Sequence, residues 1–164
     1  MPVLGVNIGM SVMELSPPSS RFAIKRFEHA LAYWDGKRTG RAMPSRRDIR
    51  PIEIPHVAAN IVLIDVLHDP LDFRYAYIGE AVIARIELDY TGMRFTDIPH
   101  QRTGSRVWRA GVRLVQEAMP FYSDIPYVGP DAFVEAYQDL YMPVSDDGET
   151  VDMIFGVIEF EQRP

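Results

Sequence analysis

The chain has 164 residues, 47% apolar and 24% charged, the composition of one globular domain with enough apolar mass for its own core. A net charge of −6 argues against a general nucleic-acid binder, because phosphate recognition rests on clustered cations. The absence of cysteine excludes disulfides, thiol nucleophiles, thiolate metal sites and a cysteinyl-flavin photoadduct, and is compatible with a cytoplasmic protein.

Met1 to Met13 is uncharged and moderately apolar, yet no Lys or Arg precedes Arg21, and Gly5, Gly9, Pro17 and Pro18 interrupt the stretch. A secretory signal needs a basic start and a membrane span needs about 20 apolar residues, so neither fits. Residues 1–20 are expected to form an extended arm that lies on its own domain or on a neighbouring chain, and residues 21–164 a single domain.

Ser19 or Ser20 can cap a helix from Arg21, with Ala23, Phe27, Ala30, Leu31 and Trp34 on one apolar face, stopped by Gly36 and Gly40. Such a face packs on its own sheet, forms a dimer contact, or does both. Residues 37–50 then carry Lys37, Arg38, Arg41, Arg46, Arg47 and Arg50 against one acid, Asp48. Such a run is ordinarily a solvated loop, and its alternative role is an anion site, since guanidinium forks grip oxyanions.

The central stretch, Asn60 to Phe95, predicts a strand over 61–67, a turn at His68-Asp69-Pro70-Leu71-Asp72, and a second strand over 73–78. A short helix over 81–88 follows, ending at Asp89-Tyr90-Thr91-Gly92. Thr96-Asp97 can cap a turn, and a longer helix over 101–119 places Val107, Trp108, Gly111, Leu114, Val115 and Ala118 on one face before Pro120 ends it. Strands are predicted over 121–128, 133–144 and 151–160. The middle one carries Tyr137 and Tyr141 on one face and Val134, Ala136, Leu140 and Met142 on the other. Ser145-Asp146-Asp147-Gly148 makes a hairpin turn before the last strand, which is apolar on both sides in its middle. The expected fold class is therefore α+β, a five-stranded antiparallel sheet with its helices inserted between strands two and three and an N-terminal flanking helix.

This order resembles a PAS domain, and the local residues resemble a PAS subfamily common in alphaproteobacteria, formerly described as a domain of unknown function. The matching stretches are Trp34, Pro44-x-Arg46-x-Asp48-Ile49-x-Pro51, Leu63-x-Asp65-Val66, Asp72-Phe73-Arg74-Tyr75, Ile78-Gly79, Asp89-x-Thr91-Gly92, Pro143-Val144-Ser145-x-Asp147-Gly148 and Val151-Asp152. They span roughly residues 25 to 160. Glu80 departs from the pattern, which leads one to expect a small or hydroxyl residue after the glycine. The resemblance implies a PAS-like sheet with the last strand beside the first, and a broad sensory role without a reaction.

The four histidines, His29, His56, His68 and His100, show no metal-binding spacing, and no metal is expected. His100 lies in the region where some PAS domains carry a haem ligand, but without a supporting ligand pattern it reads as a surface histidine, so the cofactor stays unknown. Asp65, between Ile64 and Val66, either points outward or pairs with Arg46, Arg74 or a backbone group. With Asp48, these residues are the polar or anion-binding candidates.

Two functions fit. The first is a stand-alone cytoplasmic sensory or protein-interaction module that binds a small ligand between sheet and helices. The chain holds no kinase, cyclase or DNA-binding domain, so it would signal through a protein partner. Its candidate pocket residues are Tyr75, Tyr77, Ile83, Phe95, Trp108, Val115, Tyr137 and Phe155, all of which equally suit a plain core. A homodimer through the N-terminal arm or helix is expected, with no nucleic-acid or membrane partner and no catalytic residue. The alternative is a small pocket enzyme of the isomerase or dehydratase type, which would need a buried carboxylate in the cavity, Asp65 being the candidate.

Overall fold

A computed structural model describes residues 21–126 and 134–162, with side chains over 25–123 and 138–160. The expected arm, residues 1–20, lies outside the described residues.

Helix α1 (Arg21–Arg38) buries Phe27, Ala30, Leu31 and Trp34, one face of a 3.6-residue period. Gly36 does not stop it. The helix runs two residues further and ends where Thr39 and Gly40 turn to φ of 49° and 85°, because an exposed glycine inside a helix weakens it without breaking it. Two single-turn 3₁₀ segments, Arg46–Asp48 and Pro51–Glu53, and the short helix α2 (Pro55–Ala58) deliver the chain to the sheet.

The sheet has strands β1 (Ile61–Leu67), β2 (Asp72–Ile78), β3 (Phe121–Pro126), β4 (Val134–Val144) and β5 (Met153–Gln162) in the order β2-β1-β5-β4-β3. All four pairings are antiparallel, and β5 lies beside β1 as expected. The helices α3 (Glu80–Ile86) and α4 (Arg106–Glu117) fall between β2 and β3.

Three local devices fix these elements. Gly79 caps α3 in extended conformation, and a Cβ there would sit 2.2 Å from the Ala59 carbonyl oxygen, so only glycine lets the β2–α3 junction reach the end of α2. Glu80 then occupies the first turn of α3, where a carboxylate suits the exposed backbone N–H groups. Helix α4 starts at Arg106, later than the periodicity predicts, because the Ser105 hydroxyl accepts the Trp108 N–H and so sets the first turn. In the β4–β5 turn, Asp147 accepts from the Glu149 and Thr150 amides and from the Ser145 hydroxyl, and these bonds hold its carboxyl at about 2.

The sheet is covered on both faces. On the outer face, α1 sets Phe27 against Tyr122 and Tyr33 against Phe155 (ring centroids 5.7 and 6.2 Å). The buried Trp34 indole N–H donates to the Pro143 carbonyl at 2.7 Å. On the inner face, Gly111 of α4 lets the helix backbone rest on the Phe73 ring, and Arg113 stacks 4.2 Å from the Phe121 ring centre.

Candidate functional site

The inner layer combines aromatic rings with buried polar groups. The Phe95 ring packs 5.2 Å from Phe73 and 5.0 Å from Tyr75, and Trp108 of α4 meets Phe73 edge-on at 5.1 Å. Tyr90 stacks at 6.3 Å on Tyr75, and the exposed His100 lies 6.1 Å from Tyr90. The Tyr75 hydroxyl donates to Gln101 Oε1 at 2.9 Å. Burial first, and then the negative charge of Asp139, raises the pKa of Tyr75 well above the ordinary phenol range, so it stays a neutral donor at any physiological pH.

Asp139 is fully buried on β4 and accepts a short hydrogen bond from the Tyr141 hydroxyl. Tyr141 packs on Phe121, the ring beneath Arg113, which puts the carboxylate on the α4 side of the sheet. A buried carboxylate is costly, so its presence in this layer marks it off from a simple hydrocarbon core. Sequence reasoning passed over Asp139, although strand parity puts it between Tyr137 and Tyr141 on the same face of β4.

Of the expected pocket residues, Tyr75, Phe95 and Trp108 meet in this layer, and the half-buried Ile83 and Val115 come from the two helices that cover it. The side chain of Tyr137 lies outside the described residues. Tyr77 and Phe155 do not join them. The β1–β2 register shifts between Leu63 and Ile64, pairing Leu63 with Tyr77 and Ile64 with Tyr75. That bulge turns Tyr77 to the outer face, where its hydroxyl donates to the Ala58 carbonyl. Phe155 opposes Leu63 on the same side and touches Tyr33 of α1. The expectation that Tyr77 and Phe155 line the pocket with Tyr75 therefore needs correction.

The polar candidates divide as well. Asp65, buried on β1, bridges two guanidinium groups: Arg46 Nη2 lies 2.7 Å from Oδ1, and Arg74 Nη2 donates to Oδ2 at 3.1 Å. The Arg46 contact is an ion pair whose angle is not that of a directed hydrogen bond. Arg46 also donates to the Asp152 carbonyl, and its amide to Asp146. Asp48 stands apart. It takes Arg41 Nη2 at 2.6 Å and the Ser45 hydroxyl and amide, and Arg41 chiefly lowers its pKa to about 2. With Lys37 on Glu53, Arg38 on Asp35, Arg41 on Asp48 and Arg46 on Asp65, four of the six basic residues of 37–50 meet carboxylates.

The family model described as PAS domain matches residues 24–159. Among solved structures, the sensory box sensor histidine kinase from Vibrio cholerae aligns over 67% of this chain and 90% of its own, at 14% identity and a TM-score of 0.47. No curated protein matches the chain. Among the described residues, no helix is long and apolar enough to cross a membrane.

Proposed function

The chain belongs to the PAS domain family, and from that premise we propose that it is a sensory or protein-interaction module that binds a small ligand between the sheet and the α3–α4 layer. The observation that carries this reading is the polar set buried among the inner aromatic rings, Tyr75 with Gln101 and Asp139 with Tyr141. Ligand pockets pair an apolar lining with a few placed polar groups in this way, whereas packing alone is served better by hydrocarbon.

The output surface in this reading is the outer face with α1, through which a second copy or another protein would sense the ligand-bound state. The module works in the cytoplasm, and its net charge of −6 suits a protein partner better than a nucleic acid. The isomerase or dehydratase alternative loses the carboxylate it nominated, because Asp65 is engaged by Arg46 and Arg74 on the outer side, away from the Tyr75 layer.

Native mass spectrometry of protein purified from its own cells tests the reading. A small molecule retained at one per chain by the wild type and lost in Tyr75→Phe is the expected result. An empty wild type whose melting temperature no compound in a metabolite screen raises would overturn ligand binding and leave a pure interaction module.

A further inference from the structure

The histidines that look scattered in the sequence are not all scattered in space. His29 on α1 and His56 on α2 bring their rings to 4.6 Å, inclined at 85°, and both are exposed. Among the described residues neither ring has a hydrogen-bond or ion-pair partner, so both are available as ligands through either nitrogen.

The pair sits on a seam. His29, Tyr33 and Lys37 recur every four residues and so lie on one face of α1. All three meet the segment that leads into β1: His29 meets His56, Tyr33 donates to the Asp48 carbonyl and to Glu53, and Lys37 pairs with Glu53 at 2.9 Å. The helix that covers the outer face is thus tied down by ring contact at one end and by charge at the other.

We propose that His29 and His56 form a surface site for a divalent transition-metal ion of the zinc, nickel or copper type, which clamps α1 to α2. Two exposed imidazoles on separate elements, in edge-on contact at this spacing, can turn to share one ion, with water completing its shell. Neutral imidazole suits these borderline ions, whereas calcium and magnesium take oxygen ligands and copper(I) prefers sulfur. Because the ion binds only when the helices are docked, it stabilises the docked arrangement by mass action. The site stands apart from the inner layer and does not depend on ligand binding there.

Thermal melts with and without ZnCl₂ in excess test the proposal. Zinc raises the wild-type midpoint by about 3–10 °C near neutral pH, and a chelator reverses the shift. His29→Ala and His56→Ala, both at exposed positions, each abolish the shift, and His68→Ala and His100→Ala keep it. A copper-loaded sample shows two-nitrogen coordination by electron paramagnetic resonance. The absence of a zinc shift in the wild type, or an equal shift in His29→Ala or His56→Ala, would overturn the site.

Discussion

On the outer side of the sheet, α1 is held by a few directed contacts between residues far apart in sequence: the Trp34 indole on the Pro143 carbonyl, Arg26 on Glu159 at 2.7 Å, and the Tyr33 hydroxyl on the Asp48 carbonyl. On the inner side, α4 is seated by shape, with Gly111 on the Phe73 ring, and the polar groups there bond to one another within the layer. The inner layer is close-packed, and a ligand or substitution that enters it must move its neighbours.

The largest expected effect is at Trp34. Trp34→Ala removes a fully buried ring and costs about 3–5 kcal/mol, read as a lower urea midpoint. Trp34→Phe keeps most of the packing, leaves the Pro143 carbonyl without its donor and costs about 1–3 kcal/mol. Equal losses for the two variants would show that packing alone fixes α1.

Gly111→Ala probes the other face. The new Cβ would lie 2.7 Å from the Phe73 ring, so α4 must lift, at about 1–3 kcal/mol despite the better helix propensity of alanine. Ligand retention should fall with it, whereas Trp34→Phe should leave retention unchanged. A Gly111→Ala protein as stable as the wild type would show that the inner layer has slack.

Acid provides a smaller perturbation. Asp147 has a folded-state pKa of about 2, below its ordinary value of 3.8, so its stabilising contribution is complete above about pH 4 and is lost as pH falls through about 2. Asp147→Asn should flatten that part of the pH–stability curve. Burial shifts Asp152 the opposite way, so its charge opposes folding above its ordinary pKa and protonation relieves the cost. The smallest effect is expected for Arg26→Met, about 0.2–1 kcal/mol for a partly exposed pair, vanishing at high salt.

Much of the architecture was legible in the residues. The hairpin at 61–78, the turn around Asp147-Gly148 and the helical face of Phe27, Ala30, Leu31 and Trp34 follow from local periodicity and turn chemistry, and the structure carries each of them. For Asp65 the residues left open an outward-pointing side chain or a partner among Arg46, Arg74 and a backbone group, and the structure pairs it with both arginines. The candidate site was read less completely. Tyr75, Phe95 and Trp108 were placed together, but Asp139 was passed over, and Tyr77 and Phe155 were assigned to the wrong side.

The sequence by itself determined which segments become helices and strands, because hydrophobic period, caps and turns are properties of neighbours along the chain. Only the tertiary structure decided which face each strand residue occupies and which distant residues meet. Alternation gives parity relative to a strand, and the bulge at Leu63/Ile64 reverses it for Tyr77. The apolar middle of β5 held no sign of which side Phe155 would take until α1 covered it. The meeting of His29 with His56 likewise depends on how α1 crosses the sheet, which no spacing along the chain records.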